Sequence, residues 1–191
     1  MEDFALPENI FLNGTAQTIA DVLQNKDDRV ALQQNLAAKY PGRTIVALKM
    51  NIPGPIKNNE ALAKLFTAGE AQWRSLMAQK QYAIIEDEHW ERPTGMEAFY
   101  VVDAKADQVK RLAVSFEDDF ALGRLFDADV LLTGESGLRA LSRTNFAMPA
   151  RTCLICGRPA KDCARSRRHS VDELQAHISG MFEQYFGGQL L

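Results

Sequence analysis

Asp127 and Asp129 are two carboxylates separated by one small residue, inside a stretch from Gly123 to Leu132 that is otherwise apolar apart from Arg124. If that stretch is a strand, its period of two puts both aspartates on one face and Phe126, Ala128 and Val130 on the other. Carboxylates held side by side repel, and a divalent cation relieves the repulsion. Hard oxygen ligands suit Mg²⁺, which keeps several waters and bridges to substrate phosphates. An ion held this way stabilises the attacking and leaving oxygens of phosphoryl or nucleotidyl transfer. Arg124, just upstream, offers a bidentate clamp for a phosphate oxygen. Glu117, read as the end of the preceding strand, offers a third carboxylate across a hairpin. Taken alone, an Asp-x-Asp of this kind is commonly just the solvated face of an ordinary strand.

A second constellation is Cys153-x2-Cys156-x6-Cys163-x5-His169. These are four zinc-ligand types, the first two at the knuckle spacing of structural zinc sites, although the second pair follows more closely than in zinc ribbons or fingers. The alternative is a loop with partly buried thiols. The same segment, 151–169, carries six cations (Arg151, Arg158, Lys161, Arg165, Arg167 and Arg168) against Asp162 alone. The whole chain, with 22 Lys and Arg against 25 Asp and Glu, has a net charge of −3. A basic segment on an acidic body points to a phosphate-rich ligand or to a solvated loop, not to a coat for a long polyanion. The competing reading is a zinc knuckle that binds nucleic acid without catalysis. Against it, the basic segment contains no aromatic residue on which a base could stack.

The elements that must position these groups follow from the apolar pattern. With 191 residues, 46% hydrophobic and 25% charged, the chain suits one globular domain, 1–191, with no disulfide framework. Two short helices are expected first, one capped by Thr15 and one from about Asp27 to Tyr40. A strand follows from Thr44 to Ile52, and it ends in the rigid turn Pro53-Gly54-Pro55-Ile56-Lys57. A helix capped by Asn58 carries Leu62, Leu65, Phe66, Gly69, Trp73, Leu76 and Met77 on one stripe. Strands are then expected at Tyr82–Asp87, Ala98–Val102, Leu112–Glu117, Leu125–Leu132 and Leu138–Thr144, with a short helix over Asp103–Val109. The run from Thr133 to Gly137 is a hairpin signal. A closing helix spans 170–187, opened by the capping box of Ser170 and Glu173. The predicted fold is α+β: an antiparallel-rich mixed sheet with packed helices, then a C-terminal Cys-rich loop and helix. An acidic start and the lack of a long apolar run lead us to expect a cytoplasmic protein without a membrane segment.

Taken in order, three motifs bear a family resemblance. Pro53 to Lys57 matches a Pro-Gly-Pro-x-Lys turn, Leu122 to Val130 matches Leu-Gly-Arg-Leu-x-Asp-x-Asp-Val, and Arg151 to Arg165 matches Arg-x-Cys-Leu-x-Cys-x6-Cys-Ala-Arg, followed by His169. In this the sequence resembles the apo-citrate lyase phosphoribosyl-dephospho-CoA transferases, also called citrate lyase holo-acyl-carrier-protein synthases. The resemblance implies transfer of a phosphoribosyl-dephospho-CoA unit from its triphosphate precursor to a serine of the citrate lyase acyl carrier protein, with release of diphosphate. It implies Mg²⁺ on Asp127 and Asp129, with Glu117 as third ligand or base. It also implies phosphate contacts from Arg124, Lys57 and Arg165, and no nucleic-acid partner. That family usually has His-Pro before Leu-Gly-Arg, where this chain has Phe120-Ala121, so no acid–base role of that histidine transfers here. Polymerase-β-like nucleotidyltransferases are an analogy only, because no Gly-Ser turn precedes Asp127.

Overall fold

The strand at the centre of the sheet, β1 (Thr44–Met50), is apolar on both faces, and both faces are covered. The computed structural model describes residues 8–134 and 137–187. Around β1 lie β2 (Ala83–Arg92), β3 (Gly95–Asp103), β4 (Phe126–Gly134) and β5 (Gly137–Ala140), in the order β2-β3-β1-β4-β5. Every pairing is antiparallel, so the expected mixed character is absent among the described strands. The hairpin signal after Thr133 joins β4 to β5 with Gly134 opposite Gly137, its two central residues lying outside those described. The last predicted strand is shorter than expected, and Arg143–Phe146 forms a 3₁₀ turn.

One face packs on α2 (Glu60–Gln79), α3 (Ala106–Asp119) and α5 (Val171–Phe186) through Leu48, Tyr100, Phe126, Trp73, Phe116 and Ile178, all buried. The other packs on α1 (Ile19–Lys39), where Leu36 meets Ile45, Ala47, Phe99, Val101 and Leu131. No helix among the described residues is long and apolar enough to cross a membrane.

Three expectations change. The two opening helices are one, capped by Thr18, whose hydroxyl accepts from Asp21 N while Asp21 accepts from Thr18 N. No Gly or Pro interrupts it, and buried Asn25 in its first half donates to Glu97 on β3 at 2.6 Å. The predicted strand at Leu112–Glu117 is helical and merges with the short helix before it into α3. Val109, Leu112, Ala113 and Phe116 are all buried at helical spacing, which outweighs the strand preference of Val114. The predicted strands at Tyr82–Asp87 and Ala98–Val102 lengthen into a hairpin closed by Pro93-Thr94, with Arg92 opposite Gly95. Smaller shifts include the cap of α2, which is Asn59 and not Asn58; its side chain accepts from Leu62 N at 2.9 Å.

Two glycines set the position of β4. A Cβ on Gly69 would lie 2.0 Å from the Phe126 ring, so only glycine lets α2 approach the start of β4. A Cβ on Gly123 would lie 2.1 Å from the Phe116 carbonyl, so the turn before β4 folds tightly against the end of α3. Phe120, at the end of α3, stacks on Phe116 and meets Tyr185 edge-on, as a packing residue.

Candidate active site

Because Phe126, Ala128 and Val130 are buried in the core, the period of two turns Asp127 and Asp129 to the opposite face, as expected. On that face α1 covers Leu131 further along β4, while Asp127 is 29% and Asp129 45% exposed. In the register, Lys49 of β1 lies between Asp127 on β4 and Glu97 on β3. The Lys49 ammonium is 2.6 Å from Asp129 Oδ2 and 3.6 Å from Asp127 Oδ2. The two carboxylates therefore converge on one point, where the Lys49 ammonium sits. Asp127 Oδ1 accepts from the Arg151 guanidinium, which also donates to the carbonyls of Arg124, at 2.9 Å, and Phe126.

Neither Lys49 nor the role of Arg151 was read from the sequence. Lys49 did leave a signal, as a lone charge ending an otherwise apolar central strand. Arg151 counted only as part of a basic segment.

Arg124 donates to the Thr152 carbonyl and lies 3.8 Å from Asp118. Burial, and then the neighbouring Arg151, lower its pKa. Lys57 is half-buried at the end of the Pro-Gly-Pro turn, and its ammonium donates to the Ile52 carbonyl at 2.5 Å. Burial alone pulls its pKa down. That turn is pinned from two sides, by Gln175 of α5 donating to Pro53 O at 3.2 Å and by Gln17 N donating to Pro55 O at 2.9 Å.

Glu117 is placed differently from expectation. It lies on α3, buried, with one oxygen accepting from Ala128 N at 2.9 Å and the other from Arg143 at 2.6 Å. Lys110 Nζ, also buried on α3, lies 3.5 Å from the Ala128 carbonyl. Together they satisfy the edge of β4 where β5 does not reach. Among the described residues, Glu117 does not join the aspartates in a three-ligand group.

The cysteine segment docks on this site. Cys153 N donates to Arg158 O at 2.5 Å and Ala160 N to Arg151 O at 2.9 Å, which closes a knuckle ahead of α4 (Ala160–Ser166). The ligand atoms of Cys153, Cys156, Cys163 and His169 all lie within 4.8 Å of one another, a geometry able to hold a metal ion. His169 Nε2 is buried with no hydrogen-bond partner among the described residues. The adjacent His169 ring, then the Arg158 backbone and the other thiols, bring Cys156 down to about 6. Burial pushes Cys163 up to about 11. Arg165 is exposed on α4 and pairs with no described carboxylate. A wider cavity of about 820 Å³ opens at the opposite end of the sheet, where β1 begins, and the aspartates do not line it.

Residues 17–185 match the family model described as apo-citrate lyase phosphoribosyl-dephospho-CoA transferase. A probable apo-citrate lyase phosphoribosyl-dephospho-CoA transferase of Streptococcus pyogenes serotype M18 is 30% identical over 184 residues, covering 94% of this chain and 92% of that protein. The apo-citrate lyase phosphoribosyl-dephospho-CoA transferase of Citrobacter koseri is 31% identical, covering 87% of this chain and 88% of that protein. The Protein CitXG of Haemophilus influenzae is 31% identical over 93% of this chain but only 38% of its own length.

Proposed function

Because the chain belongs to the apo-citrate lyase phosphoribosyl-dephospho-CoA transferase family, we propose that it is a nucleotidyltransferase that modifies the citrate lyase acyl carrier protein. It moves the phosphoribosyl-dephospho-CoA group from the triphosphate precursor to a carrier serine. The serine Oγ bonds to the α-phosphorus, the bond from that phosphorus to the bridging oxygen breaks, and diphosphate leaves with the electron pair. The serine proton passes to water. One observation carries the reading: the Oδ2 atoms of Asp127 and Asp129 meet at a single cation position on an open sheet face.

The residues present fit Mg²⁺, since two hard oxygens already converge there and Asp129 is 45% exposed, which leaves room for waters. When bound, that ion supplies charge stabilisation at the reacting phosphate. Arg151 holds Asp127 in its orientation. Arg124 and Lys57 bind phosphate oxygens, and Arg165 makes an outer contact with the precursor's negative charge. Glu117 acts on the aspartates through β4, by fixing the strand's edge. Incubating apo carrier with precursor, Mg²⁺ and the folded protein should raise the carrier's intact mass by one prosthetic group. An unchanged carrier mass overturns the proposal.

Zinc is the metal we assign to Cys153, Cys156, Cys163 and His169, as a closed four-ligand structural site. Protein purified without added metal should hold about one zinc per chain. Less than about 0.2 per chain, with the fold intact, contradicts this assignment. The knuckle's most deeply engaged cation, Arg151, is turned inward onto Asp127, so we place no nucleic acid on it. The thiols suit a reducing compartment, the cytoplasm.

A further inference from the structure

Beside Lys49, on the side away from the aspartates, the structure has a pocket of about 250 Å³ between α1, the Pro-Gly-Pro turn and the β2–β3 hairpin. Four cations line it: Lys26, Arg29, Lys49 and Lys57. One carboxylate lines it too, that of Glu97, and both its oxygens already accept from Arg29, at 2.5 and 2.8 Å. Lys49 pairs with Asp129, while Lys26 and Lys57 pair with no described carboxylate. Thr94 Oγ1, on the same wall, is buried and has no hydrogen-bond partner among the described residues. Two ammonium groups without a carboxylate, exposed Lys26 and half-buried Lys57 (which donates only to the Ile52 carbonyl), stand beside an orphaned hydroxyl, so the wall has positive charge and donor capacity to spare. An anion with several oxygens supplies what they lack. The pocket is smaller than the roughly 300–1,000 Å³ that takes a drug-sized ligand, which suits a short phosphate chain and not a nucleoside.

We propose that this pocket binds a polyphosphate chain, seating the β- and γ-phosphates of the precursor and then the departing diphosphate. The choice of those phosphates rests on the transferase reading; binding of an inorganic polyphosphate does not. Lys49 belongs to both sites. It touches the carboxylate pair on one side and lines the pocket on the other, so a chain in the pocket presents its α-phosphate toward Asp127 and Asp129. The basic knuckle, which the sequence left as a site for a phosphate-rich ligand or a solvated loop, is then not where the leaving group sits.

Isothermal titration calorimetry with inorganic tripolyphosphate, without metal, tests this directly. Lys57→Ala should weaken binding about tenfold, and Lys26→Ala, at an exposed position where folding is not at stake, severalfold. Arg168→Ala on the knuckle should leave the affinity within about twofold. Absence of binding by the wild type overturns the proposal. Loss of affinity in Arg168→Ala, with Lys57→Ala and Lys26→Ala unaffected, overturns it too. If labelling of the carrier proceeds while tripolyphosphate fails to bind, the pocket assignment alone falls. If tripolyphosphate binds but the carrier is never labelled, the transferase reading falls.

Discussion

Asp127→Asn should leave the protein folded and slow carrier labelling about a thousandfold, with the loss in kcat and not in KM. The substitution keeps the side chain's shape and its place opposite Lys49 in the register, but it removes one of the two charges that meet at the cation position. Asp127 is 29% exposed, so its ion pairs with Arg151 and Lys49 are partly screened and contribute little to stability. Loss of rate without loss of fold is therefore the expected pattern. Asp119→Asn is the matched control, because that exposed carboxylate only accepts from Ser115 at 2.7 Å; its rate should stay within about twofold. A normal labelling rate from folded Asp127→Asn in Mg²⁺ would remove the aspartate pair from the mechanism.

The largest stability effect is expected at Glu97→Ala. This carboxylate is only 3% exposed and accepts from Arg29 Nε at 2.5 Å, Arg29 Nη2 at 2.8 Å and Asn25 Nδ2 at 2.6 Å. Arg92 extends the network to Asn25 at 3.0 Å and Asp28 at 2.7 Å, so one group on β3 fixes the first half of α1. Truncation leaves the Arg29 guanidinium, 19% exposed, without its anion, and breaking a buried pair from one side costs about 3–5 kcal/mol. Urea denaturation should show that loss, and Tm should fall by about 10 °C. Glu97→Gln, which keeps an acceptor for one of the three bonds, should lose about half as much. A loss below about 1 kcal/mol in Glu97→Ala would show that α1 is held by its apolar contacts through Leu36 and not by this network.

What the sequence revealed and what it hid divide along one physical line. The shared face of Asp127 and Asp129 was legible because Phe126, Ala128 and Val130 need a core, which fixes the other face by alternation. The Cys153–His169 cluster was legible because its four ligands lie close along the chain. The capping box of Ser170 and Glu173 was legible for the same reason. Glu117 was misplaced because Leu112 to Phe116 fits both periods locally. Only the joint burial of Val109, Leu112, Ala113 and Phe116 against the rest of the molecule decides for the helix. The second half of β2 was hidden because it lies at the sheet's edge, where Glu88 to Arg92 is polar apart from Trp90, largely exposed, and resembles a loop. Lys49 and Arg151 meet the aspartates across separations of 80 and 24 residues, which no local pattern encodes. The pocket likewise needs Lys26, Lys57 and Thr94 from three elements, and only the fold brings them together.

The claim on which the account rests is that the two β4 carboxylates hold a divalent metal. Electron paramagnetic resonance of Mn²⁺, which substitutes for Mg²⁺ at oxygen sites, reads this without any substrate. Wild-type protein should remove about one equivalent of the free-ion signal per chain. The double variant Asp127→Asn with Asp129→Asn should leave that signal intact while keeping its fold. Equal uptake by both proteins, or none by either, would contradict the account.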